Sequence, residues 1–130
     1  MALMTYREAN EVLWRGVRPA HNGTQLIKRQ PCTNQTVMLY TVLAGETLHL
    51  CSATGAIEAV AAGIVTMAIL DDGGVVQYYI MDEAVLAGQS GVTRSQTFWP
   101  PVEMPTDWQI RLISTAVGLQ LQGSIFGWIE

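Results

Sequence analysis

Two β-rich runs, Ile64 to Leu70 and Val75 to Met81, flank Asp71-Asp72-Gly73-Gly74. This is a hairpin specification. Aspartate hydrogen-bonds its own backbone at a turn, and glycine takes the positive φ that hairpin turns demand. The first run, Ile-Val-Thr-Met-Ala-Ile-Leu, is apolar at successive positions rather than at alternate ones. Strand side chains alternate between faces, and an antiparallel sandwich normally leaves one face wet. Both faces of this strand therefore have to be covered, either by a segment of the same chain such as residues 1–30 or by another subunit. Thr36 to Leu43 and Val75 to Met81 are nearly as apolar and carry the same requirement.

The remaining pattern is that of strands and turns. Gln25 to Arg29 and Thr36 to Leu43 read as strands, and Ala44-Gly45-Glu46 turns the second. Thr47 to Cys51 alternates, with Leu48 and Leu50 on one side. Thr93 to Trp99 reads as a further strand. Pro100, Pro101 and Pro105 then impose an extended connection without backbone donors. Trp108 to Ile113 places Trp108, Ile110 and Leu112 on one face, and Leu119 to Ile125 places Leu119, Leu121 and Ile125 inward. Asp82 to Gly91 is consistent with a helical turn or a loop. About eight short strands, spaced by roughly ten residues, predict an all-β fold, an antiparallel β-sandwich or barrel.

Ahead of this body, Thr5 and Glu8 fit a capping box for a short helix ending near Gly16, an extended tail being the alternative. Pro19-Ala20-His21-Asn22-Gly23 reads as a turn. The expected organisation is an N-terminal arm over residues 1–30 and a β-sandwich over 31–130.

Charge is scarce and uneven. Charged residues make up 14% of the 130-residue chain, against roughly 25% in typical domains. That deficit suggests that neighbouring subunits cover part of the surface. Residues 1–30 hold Arg7, Arg15, Arg18, Lys28 and Arg29 against Glu8 and Glu11, while residues 31–130 hold Arg94 and Arg111 against nine acids. A basic arm on an acidic body can dock onto a neighbour. It lacks the dense basic cluster of a nucleic-acid binder, so no nucleic-acid partner is expected. The uncharged run Leu112 to Ile129 is interrupted by Ser114, Thr115, Gln120, Gln122 and Ser124. It reads as strands and not as a membrane span, and no signal peptide is expected.

No chemistry-bearing constellation stands out. His21 and His49 do not form a His-x-His pair and cannot fill a metal site of the cupin kind. Cys32 and Cys51 are too few for a disulfide framework and read as small buried residues, a bridge between them being the alternative. Gly88-Gln89-Ser90-Gly91 lacks the frame of a nucleophile elbow. Asp71-Asp72 is accounted for by its turn, and Asp82-Glu83 adjoins a strand end. No catalytic, cofactor-binding or metal-ligating residues are expected, and the chain is not read as an enzyme. Among Trp14, Trp99, Trp108 and Trp128, two roles compete: aromatic packing at a core or interface, and a sugar-stacking platform. The platform would make the chain a monomeric carbohydrate- or ligand-binding module using Trp99 and Trp108. Phe126 and Trp128 lie on the face opposite Leu121 and Ile125, where an aromatic pair reads as an interface anchor.

The segments Phe98-Trp99-Pro100-Pro101-Val102-Glu103-Met104-Pro105, Asp107-Trp108-Gln109-Ile110-Arg111-Leu112 and Gly123-Ser124-Ile125-Phe126-Gly127-Trp128-Ile129-Glu130 form an ending that resembles small jelly-roll structural proteins of tailed bacteriophages and prophages. Tyr40-Thr41-Val42 with Gly45-Glu46-Thr47-Leu48 is similar to their earlier paired strands. The likeness spans residues 36–130, and Asp107 stands where those proteins usually have glycine. The resemblance implies a jelly-roll-like sandwich acting as a homotrimer in the virion, as a capsid decoration (cement) protein ahead of a tail or fibre part. It also implies synthesis in the host bacterial cytoplasm and contact with the major capsid protein or another virion protein. No cofactor and no membrane enter this reading. Trp14, Arg15 and Arg18 in the arm, and Phe126 and Trp128 at the end, are the expected subunit contacts.

Overall fold

The computed structural model describes residues 23–130. These form eight strands: β1 (Thr24–Thr33), β2 (Thr36–Thr41), β3 (Leu48–Ala59), β4 (Gly63–Leu70), β5 (Val76–Val85), β6 (Ser90–Met104), β7 (Gln109–Ser114) and β8 (Leu119–Ile129). They build two four-stranded antiparallel sheets in the orders β1-β8-β3-β6 and β2-β7-β4-β5. The pairs β1 with β8, β2 with β7, β3 with β6 and β4 with β5 nest inside one another. The chain is thus one long antiparallel ribbon, folded at the β4–β5 turn and rolled until β8 also meets β3 and β7 also meets β4. That is the eight-stranded jelly-roll arrangement of an all-β sandwich.

The hairpin at the fold of the ribbon forms as its turn residues dictate. One oxygen of Asp71, Oδ1, accepts the backbone N–H groups of Gly73 and Val75, each at 2.9 Å. Oδ2 accepts from Gln77 Nε2 at 2.9 Å, and Gly74 takes φ 78°. Among the described residues no helix is long and apolar enough to cross a membrane.

The core lies between the sheets and is lined by alternate residues. Leu48, Leu50, Ala53 and Ile57 of β3 and Leu119, Leu121 and Ile125 of β8 face Val65, Met67 and Ile69 of β4 and Ile110 and Leu112 of β7. Each fully buried aliphatic side chain contributes roughly 1.5–3 kcal/mol. The alternation read from β7 and β8 is the observed one. Both faces of β4 are buried already in the single chain. On its outward side Thr66 sits between Ile113 and Asp82, and Ala68 between Arg111 and Tyr79. Leu70 lies between Gln109 and Val76 and is only 1% exposed.

Three expectations are corrected. Asp82 to Val85 is neither helical turn nor loop but the last four residues of β5, paired with Gly63 to Thr66. Pro100 and Pro101 lie inside β6, not in a connection after it. Between the pairs Leu50–Val102 and Ser52–Thr97, β3 contributes Cys51 alone while β6 contributes Phe98 to Pro101, so the prolines sit where no ladder bond is required. Residues 24–30 are sheet, and the expected boundary after residue 30 falls inside β1; residues 1–22 lie outside the described residues.

Close approach depends on glycine at two β8 positions. A Cβ on Gly123 would meet Leu112 Cδ2 of the opposite sheet at 2.7 Å, and one on Gly127 would run into the backbone carbonyl of His49. Backbone yields less than a side-chain tip, so Gly127→Ala should lower urea-unfolding stability by about 3 kcal/mol. Gly45→Ala, at φ 79° with open space around it, should cost only about 1 kcal/mol. Equal losses at the two positions would refute this account of Gly127.

Candidate assembly surfaces

In a jelly roll the strand turns gather at two ends. The β1–β2, β3–β4, β5–β6 and β7–β8 turns cover residues 34–35, 60–62, 86–89 and 115–118, and none of these residues is charged. Val60, Leu86 and Val117 project there, with Val60 81% exposed. Backbone bonds fix the three tips relative to one another. The N–H groups of Val60 and Ala61 donate to Gly118 O at 2.7 and 3.1 Å, and Gly88 N donates to Ala59 O at 2.9 Å. The opposite end carries Glu46, Asp71, Asp72, Asp107 and Glu130, with no basic residue in its turns. Among the described residues, the turns are therefore uncharged at one end and acidic at the other.

The acidic end is tied together locally. Glu130 exchanges backbone bonds with Thr47 at 3.0 and 3.1 Å, and its Oε2 lies 2.9 Å from His49 Nε2. The His49 ring stacks on Trp128, with centroids 5.0 Å apart and planes at 14°. The two predicted aromatic anchors occupy different environments. Trp128 is 5% exposed, and its Nε1 is enclosed with no hydrogen-bond partner among the described residues. Phe126 is half-buried and lies opposite Ile27 of β1, which is 65% exposed. Trp14, Arg15 and Arg18 lie outside the described residues.

Sequence reasoning missed Ile27 as a partner of Phe126. The signal was available only once the β1–β8 register was known, because nothing in the local pattern of β1 says which of its faces meets solvent. Trp99 and Trp108 also differ. Trp99 is 64% exposed in the β6 insertion, while Trp108 packs against the core. An open depression lined by Ala56, Ile57, Glu58, Gly91, Gln120 and Gln122 holds one titratable group. Among the described residues no three His, Cys, Asp or Glu side chains come together as a ligand set.

The two long sides of the sandwich differ in charge. One is bounded by β1 and β2, whose charged residues are Lys28 and Arg29. With its amide oxygen turned toward β1, Gln122 accepts from Arg29 Nε at 2.8 Å and from the terminal Nη2 at 3.2 Å. The other side is bounded by β5 and β6, which carry Asp82, Glu83, Glu103 and Arg94. Arg94 is taken up by Glu83 at 2.5 Å, and Thr66 donates to Asp82 at 3.3 Å. Exposed Tyr78, Tyr79 and Trp99 share that side, with Tyr78 Oη donating to Gln96 at 2.7 Å and its ring set edge-on to Phe98.

Cys32 and Cys51 are buried thiols with no disulfide between them. Cys32 Sγ donates to the Gln35 carbonyl at 3.1 Å. Burial pushes the Cys51 thiol up to about 11 from an ordinary 9.0. A raised acid keeps its proton in the folded chain while the unfolded chain loses it. Stability should therefore be intact below about pH 9 and fall as pH rises toward 11. Cys51→Ala should weaken that alkaline decline, measured by urea unfolding at stepped pH. An unchanged slope would show that other groups cause it.

No protein-family model and no curated protein sequence matches the chain. Its fold does have neighbours among solved structures. A pentameric capsid protein isolated from metagenomic phage sequences superposes with a TM-score of 0.51 at 9% identity, covering 100% of this chain and 82% of that one. The Drosophila NLP core covers 80% of this chain and 97% of that one at a TM-score of 0.41 and 15% identity. A protein of the T13 particle of IBDV covers 82% of this chain and 31% of that one at 0.39 and 11%. A phage capsid protein is thus among the structural neighbours, and at 9% identity that likeness speaks for the jelly-roll fold alone.

Proposed function

We propose that the chain is a virion structural protein of a bacteriophage, working as a closed homo-oligomer on the capsid surface. The observation that carries this reading is the full-length match of its jelly roll to a phage capsid protein. The scarce charge, the apolar turn tips and the half-buried Phe126 beside exposed Ile27 support it, because each offers surface for other subunits to cover. Within this reading the assembly is a trimer that decorates the capsid by binding the major capsid protein. Phe126, with Trp14, Arg15 and Arg18, supplies its contacts, and Trp128, enclosed within the single chain against His49, backs them from beneath. The role is mechanical and not catalytic. Exposed Trp99 favours a second reading, a monomeric carbohydrate-binding module, in which glycan binding would be lost on Trp99→Ala.

Light scattering coupled to size exclusion tests the reading directly. The expected mass is three times the 14.2 kDa chain, constant on dilution, with co-sedimentation on phage capsids that lack decoration. A mass of five chains, the state named for the phage neighbour, would replace the trimer and keep the closed assembly. A monomer that binds no capsid would overturn the proposal.

A further inference from the structure

We propose that copies associate side to side, the β1/β2 side of one against the β5/β6 side of the next. This deepens the assembly reading and rests on it. The argument begins with charge. Lys28 and Arg29 are exposed on one side with no acid on β1 or β2, whereas Asp82 and Glu103 are exposed on the other, where Arg94 is already engaged by Glu83. Two identical basic sides repel, as do two acidic ones, so the favourable contact joins unlike sides of two copies. Such a heterologous contact repeats from copy to copy and closes into a ring when the rotation permits.

The apolar surface agrees. Ile27 flanks the basic side and Trp99 the acidic side, 65% and 64% exposed. Large apolar side chains rimmed by charged ones are the usual make-up of a specific interface. Direct strand-to-strand pairing is disfavoured by the same strands. β1 carries Pro31 and Lys28, β6 carries the Phe98–Pro101 insertion, and β2 and β5 have register breaks at Met38/Tyr40 and opposite Met67/Ala68. Prolines, bulges and an edge lysine block continuation of a sheet. The contact is therefore made by side chains, so it can end in a closed ring where a continuous sheet would not.

Lys28 is the chain's one lysine, which makes the test selective. Carbodiimide joins an amine to a carboxylate with no spacer. Within one chain β1 and β6 are separated by two intervening strands, a backbone distance of roughly 14 Å. A Lys28–Glu103 link in a covalent dimer is therefore made between copies. The expected product is that dimer, with Lys28 joined to Glu103 or Asp82. Charge reversal gives the second arm. Lys28→Glu with Arg29→Glu, and separately Asp82→Lys with Glu103→Lys, should each abolish the oligomer peak in light scattering. All four reversals in one chain should restore it, with circular dichroism confirming that every variant is folded. If both double variants keep the wild-type mass and Lys28 forms no inter-chain link, the side-to-side contact is wrong while the assembly reading stands. If the unaltered protein is itself a monomer, the assembly reading fails first.

Discussion

The sandwich closes where Leu112 of β7 enters the space above Gly123 of β8, and where Met81 of β5 lies over Gly55 of β3, within 2.9 Å of where a Cβ would stand. Two sheets can approach closely only if large side chains from one meet small ones from the other. Once β8 is placed by this contact, its alternation puts Leu119, Leu121 and Ile125 into the core and Gln120, Gln122 and Ser124 outside. Because β8 pairs on both flanks, with β1 and with β3, its placement also fixes the register of the whole first sheet. The outward rows follow from it, including Ile27 beside Phe126 and Gln25 beside Trp128.

Much of this was legible in the sequence because it is local. The β4–β5 hairpin follows from Asp71 and the glycines after it, and β7 and β8 follow from strict alternation. What escaped was set by distant partners. Ser52 to Ala59 is rich in small residues and has little intrinsic preference for strand. It becomes the larger part of β3 because Gly55 and Ala53 leave room for side chains from across the core. Asp82 and Glu83 argue for a loop by composition, yet β4 recruits them as the continuation of its partner. Trp128 and Phe126 share a face by parity, but parity does not report that His49 stacks on one of them and not on the other. The charge of each long side could not be read at all before the strand order was known, since it is the strand order that puts β1 beside β2 at one edge and β6 beside β5 at the other.

The low charge content now has a spatial meaning. Turn residues at one end are uncharged, acids gather at the other, and the few exposed bases of the described residues lie mainly along β1. Charge in this molecule separates surfaces that repel their own kind from surfaces that tolerate one another. In the proposed assembly, that distribution would set the orientation of each copy among its neighbours.

The nested strand order has a further consequence, for the path by which the chain acquires its shape. β4 and β5 are joined by a five-residue turn and can pair as soon as both exist. The outermost pair joins Thr24 to Ile129, and closing so long a loop costs entropy that only a partly ordered interior can offset. β1, made early, has no partner until β8 has been synthesised and has emerged from the ribosome. The inner ribbon is thus the natural nucleus. During that interval β1 is an exposed edge, and Lys28, Arg29 and Pro31 are the residues that keep it from pairing elsewhere.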